Sequence, residues 1–135
     1  MGERFQDEVG SNSIVAADSH PVWYLLGAQE MVVIKNKILP MSGYKALTLW
    51  PFIFVRRELS TVDMNHELIH GRQQAEMLVV LFLLWYGVEW VVRLCQYRDT
   101  HKAYKNISLE REAYDRQYDD DYLSHRHFWA WTKYL

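Results

Sequence analysis

The stretch Ser60–Arg98, STVDMNHELIHGRQQAEMLVVLFLLWYGVEWVVRLCQYR, carries both features on which a reading of this chain turns. Ser60, Thr61 and Asp63 are each suited to cap a helix start by accepting a hydrogen bond from a free backbone N–H, and no proline interrupts the residues after them. The pattern predicts one long helix from about Val62 to about Tyr97. Gly71 and Gly87 each weaken such a helix by about 1 kcal/mol, so Gly87 is the expected place for a kink.

The early turns of that helix spell His66-Glu67-Leu68-Ile69-His70. Histidines at i and i+4 on a helix differ by about 40° in azimuth and one turn in height, so both rings reach one ion. Zinc takes neutral imidazoles at about 2 Å in a tetrahedron. Glu67 projects toward the same side, where it can take the proton of a water held by the ion. Spacing alone thus offers two ligands and a general base. The bland alternative is two solvent-facing histidines on an ordinary helix.

A third ligand has to come from elsewhere. The continuation that would place another histidine downstream is absent, because Gln73, Gln74 and Glu76 occupy that region. Glu76 itself lies about 9 Å of helix rise beyond His70. The segment Leu109–Tyr114, LEREAY, offers Glu110 and Glu112, which stand about 200° apart around a helix, so only one of them can face the metal.

His-Glu-x-x-His followed by a separate helix with Glu-x-x-Ala resembles the gluzincin class of zinc metallopeptidases, and the layout is also similar to small uncharacterised bacterial zincin-like proteins. The resemblance covers the two metal helices, about a third of the chain. It implies that His66, His70 and Glu110 are the zinc ligands, that Glu67 is the catalytic base, and that Ala113 lets the two helices approach. It implies zinc as cofactor, a peptide or protein as substrate, and a minimal zincin-like core. Residues within reach that could stabilise a transition state are Tyr114, Tyr104, His101 and His125. The alternative function is a non-catalytic, membrane-associated interaction protein whose metal site is structural or vestigial.

After the motif, Met77–Val88 is apolar all round, and Glu89 and Arg93 follow at i, i+4, a spacing that lets them pair. About twelve uninterrupted apolar residues fall short of the roughly 20 that cross a bilayer. A central core helix, wrapped by a hairpin and the aromatic tail, is the first expectation. Membrane association through Met77–Leu94 is the second, with Trp23, Trp50, Trp85, Trp90, Trp129 and Trp131 suited to an interfacial belt.

The rest of the chain sets the frame. The expected fold class is α+β: a small β-hairpin or sheet beside the His-Glu-x-x-His helix and a second ligand helix. Residues 1–20 read as a polar, flexible tail and 21–135 as one domain. Val22–Leu26 is a short apolar run. Glu30–Leu39 is β-branched, Pro40–Tyr44 supplies a turn in which Gly43 can take positive φ, and Lys45–Leu59 reads as one long or two short strands, with Pro51 marking an edge or bulge. RDTHKAYKN is a polar connection, Asn106 or Ser108 caps a second helix over Ile107–Leu123, and SHRHFWAWTKYL packs back on the core. Fifteen basic against seventeen acidic residues give a net charge of −2 and no basis for nucleic-acid binding. The N-terminus lacks a signal-peptide pattern, so a cytoplasmic location is the default expectation. The lone Cys95 reads as a buried small hydrophobe.

Overall fold

A computed structural model of the protein describes residues 31–135; the tail expected over residues 1–20 and the apolar run Val22–Leu26 lie outside them. Among the described residues the architecture is α+β, a three-stranded sheet beside a long helix and several short ones.

The β-branched and aromatic runs form β1 (Val32–Lys35), β2 (Ala46–Leu49) and β3 (Phe52–Val55), in spatial order β1-β3-β2. β2 and β3 are antiparallel, with Leu49 opposite Phe52, whereas β1 runs parallel to β3. The hairpin therefore turns at Trp50-Pro51 and not at Pro40–Tyr44. Pro51 sits in that tight turn, where its missing N–H removes no ladder bond, instead of at an edge or bulge. Gly43 takes φ 99° in the β1–β2 connection, as its turn context predicts. Central β3 buries Ile53 and Val55 on one face.

The long helix α1 spans Thr61–Tyr97, opened by Ser60, whose side chain accepts from the Asp63 N–H at 3.1 Å. It is not straight. Leu78 has φ 59° and ψ 146°, outside helical space, and divides α1 into residues 61–77 and 79–97. A straight helix would carry Tyr86 about 24 Å along the axis from His70. Instead Phe82 lies with its ring 6.1 Å from that of His70, and Tyr86 bonds to the same carboxylate that His70 approaches. The break turns the second half of α1 back over the first. Gly87, the expected kink, stays helical.

Beyond α1, Asp99 caps α2 (Thr100–Lys105), accepting from the Lys102 N–H at 2.9 Å, where a plain polar connection was expected. The second predicted helix ends early as α3 (Ser108–Arg116). The aspartate run then competes for the backbone: Asp119 accepts from the Asp121 N–H, a local turn that stops the helix before the short α4 (Tyr122–His125). A 3-10 turn over Ala130–Tyr134 closes the chain. Neither Asn106 nor Ser108 caps α3; Ile107 stands at its N-cap, and the carboxylate of Glu89 accepts from both the Ser108 N–H (2.9 Å) and its hydroxyl (2.6 Å). A buried acid from α1 thus satisfies the positive end of another helix.

The core joins Met77, Phe82, Ile107, Leu109 and Trp131, so the aromatic tail does pack inward. A second cluster joins Ile69, Ala113 and Tyr122. The remaining face of residues 79–97 is uncovered. The sheet packs on the first half of α1, where Gln74 accepts from the Trp50 N–H and donates to the Thr48 carbonyl, each at 2.8 Å. The hairpin therefore does not wrap the apolar stretch, and Cys95 is exposed instead of buried. By length and composition α1 could cross a membrane, and only 11% of its most apolar 18-residue window is buried.

Candidate metal centre

Residues 61–77 of α1 bury a row of polar side chains: His66, His70, Arg72, Gln73 and Gln74. An interior of that kind is stable only if each group has a partner. Those partners build a site.

His66 and His70 point their Nε2 atoms at each other and at Glu110 of α3. Nε2 to Nε2 is 3.1 Å, His66 Nε2 to Glu110 Oε2 is 3.3 Å, and His70 Nε2 to Glu110 Oε1 is 3.4 Å. A tetrahedral ion with ligands at 2.0–2.1 Å has ligand–ligand edges of about 3.3–3.4 Å. The three spacings lie near that edge length, although the two histidines approach different oxygens of Glu110. Among the described residues these three form the group able to hold a metal, and all three are buried.

The protonation pattern fits the same reading. His70 Nδ1 lies 2.8 Å from Gln73 Oε1, and His66 Nδ1 lies 3.1 Å from Gln117 Oε1. Gln73 cannot be turned the other way, because its Nε2 donates to the Leu109 carbonyl and to Glu112, each at 3.0 Å. His70 therefore carries its proton on Nδ1 and, when neutral, presents an Nε2 lone pair to the site. Glu110 Oε1 accepts from the Tyr86 hydroxyl at 2.7 Å, while Oε2 is buried without a hydrogen-bond partner. Two imidazole nitrogens and a carboxylate gathered this closely could hold a cation between them. With only a proton available, His70 takes it: burial opposes the charge, but the Glu110 carboxylate outweighs burial and pushes the imidazole up to about 9. Burial also opposes charge on Glu110, and His70 and His66 together hold its carboxyl well below the usual carboxylate range.

Glu112, the other candidate third ligand, faces away. It pairs with Arg126 through both oxygens, Nε to Oε1 at 2.5 Å and a second nitrogen to Oε2 at 3.1 Å, and accepts from the Tyr122 hydroxyl at 2.8 Å. Arg126 reaches on to Glu76, so Glu76 is likewise engaged away from the histidines. His125 and His127 are exposed, and Arg126 between them is buried.

The Glu67 carboxylate adds to the field that favours a charged His70, and the Thr48 hydroxyl donates to its Oε2 at 2.7 Å. Tyr114 packs edge-on to His66 with ring centroids 4.6 Å apart, and its hydroxyl is 3.5 Å from that of Tyr104. His101 is exposed at the start of α2 beside Asp99, and His125 is exposed next to Asp119; neither joins the cluster. Sequence reasoning did not single out Gln73, Gln117, Tyr86 and Thr48. Gln73, at i+3 from His70, carried a readable signal, since that spacing puts it on the same helix face. The other three arrive from distant segments.

Comparison with protein-family models, with curated proteins and with solved structures finds no match to this chain.

Proposed function

We propose that this protein is a zinc-dependent hydrolase of peptide bonds, with His66, His70 and Glu110 as ligands and Glu67 as general base. The observation that carries the reading is the close approach of the two Nε2 atoms to each other (3.1 Å) and to the Glu110 carboxylate (3.3 Å to Oε2, 3.4 Å to Oε1), with Oε2 buried and without a hydrogen-bond partner. Zinc suits a donor set of two imidazoles and one carboxylate, and when bound it supplies a Lewis acid that lowers the pKa of a coordinated water.

The chain's own groups do the rest. Gln73 and Gln117 hold the two imidazoles by their Nδ1 atoms, which keeps Nε2 for the ion. Tyr86 fixes the Glu110 carboxylate. Thr48 anchors one oxygen of Glu67, leaving Oε1 to accept a proton. Tyr114, half-buried beside His66 and braced by Tyr104, is the phenol placed to donate to a developing oxyanion.

The test compares zinc-loaded wild type with Glu67→Gln on a peptide library. Cleavage falling by about 100-fold or more with one zinc retained per chain supports the base assignment. Equal turnover by the variant, or no cleavage by the loaded wild type, contradicts it.

A second reading, which can coexist with the first, is association with a membrane. It is favoured by the uncovered apolar half of α1.

A further inference from the structure

Residues 79–97 are built inside out. At 100° per residue, the exposed positions Leu81, Leu84, Val88, Val91 and Cys95, with their neighbours, cover roughly 200° of the helix circumference. No charged side chain falls on that arc. The two charges of the stretch 78–95, Glu89 and Arg93, turn to the protein side and pair at 3.2 Å, and Glu89 also takes the Trp85 indole N–H at 3.1 Å. Tyr86 turns its hydroxyl inward to Glu110. Water is the wrong medium for such a helix, and an apolar surface of this width is uncommon on a free protein.

The neighbouring surface continues it. Exposed Trp85 and Trp129 pack on the buried Trp131 at 5.5 and 5.6 Å, and Trp129 packs beside the exposed Phe128. At the end of the helix Arg98 is exposed beside Asp99, while the Lys105 ammonium lies over the Tyr114 ring on the side of the histidines. Aromatic flanks suit the interfacial zone of a lipid bilayer.

The opposite side of the same helix is occupied by α2 and α3, whose outer surfaces carry Lys102, Lys105, Arg111, Asp115 and Arg116. Threading the helix through a bilayer would drag these charges into hydrocarbon. We infer that residues 79–97 lie flat in the surface of a phospholipid bilayer, outward arc in the acyl boundary, with the His66–His70–Glu110 centre on the aqueous side about one helix diameter, roughly 10 Å, from the lipid. The inference deepens the membrane reading and rests on it, not on the hydrolase chemistry.

Positions 81, 88 and 95 share one face, and Cys95 is the single cysteine of the chain. Spin labels at native Cys95, and at Leu81→Cys and Val88→Cys in a Cys95→Ala background, report immersion depth in phosphatidylcholine–phosphatidylglycerol vesicles. A flat helix gives equal depths; a spanning one gives a gradient of about 21 Å between 81 and 95. Val88→Lys, on an exposed site that leaves the fold intact by circular dichroism, is expected to lower vesicle partitioning at least about tenfold. Failure of the full-length wild type to bind vesicles, or a lipid-independent dimer that shields position 88, overturns the membrane reading itself. Binding with the full gradient overturns only the flat orientation.

Discussion

On either side of Leu78, α1 is made of opposite materials. Residues 61–77 turn two histidines, an arginine and two glutamines into the protein, and residues 79–97 turn leucines and valines out of it. Both halves reverse the usual soluble pattern, and each reversal has a local cause. The first half tolerates buried polarity because it is networked: Gln73 links His70 to Glu112, Glu112 links to Arg126, and Arg126 links to Glu76. The second half confines its few polar groups to the side where Ser108 and Glu110 receive them. The polar interior is the ground of the proposed metal site, and the apolar exterior that of the proposed membrane contact.

The largest effect that would break this contrast is expected at the centre of the network. Arg126→Ala leaves Glu112, with its side chain fully buried, facing no cation, and is expected to lower stability by about 3–5 kcal/mol in urea titrations. A loss below about 1 kcal/mol would mean that the buried polar row is not held as described. Next, Gln117→Ala is expected to weaken zinc binding about 10–100-fold by calorimetry, since it frees the His66 ring, whereas Val91→Ser on the outward arc leaves affinity unchanged. Equal effects at both positions would erase the division of labour between the halves.

The break itself can be sharpened. A leucine at φ 59°, ψ 146° is strained by about 1–3 kcal/mol, and Leu78 is exposed, so Leu78→Gly is expected to raise the melting temperature, with a net gain of about 1 kcal/mol after the entropic cost of glycine. Destabilisation would show the turn to be relaxed. A smaller effect is expected from His70. Its folded value of about 9 lies above the usual 6.5, so the stability it contributes to the metal-free protein is fully present below pH 6.5 and lost as pH rises through 9. The melting temperature of metal-free protein should therefore fall across that interval. Zinc affinity should rise over the same range, because the ion displaces the His70 proton. Flat profiles in both would remove Glu110 as the neighbour that charges His70.

What was legible in the sequence was local. His66 and His70 share one helical turn, so their convergence follows from spacing, and Ser60 caps α1 where a serine would. The choice between Glu110 and Glu112 was not written in LEREAY, because Arg126, which claims Glu112, lies fourteen residues further along. The break at Leu78 left no mark, since a leucine within LVVLFLL carries no turn chemistry, while Gly87, which does, remained helical. Without that break the apolar stretch reads as a core rod continuing the metal helix. With it, Phe82 and Tyr86 fold back over the site and the outer face is left open. The α2 helix was missed for its polarity, although Asp99 preceding Thr100–Lys105 was a readable cap.

The most direct test of the account is the zinc content of the purified full-length chain by plasma mass spectrometry, for wild type and for Glu110→Ala, with circular dichroism confirming that both fold. The account predicts about one zinc per wild-type chain and its loss from the variant. A wild type that takes up no zinc even after reconstitution, or a Glu110→Ala chain that binds it undiminished, would contradict it.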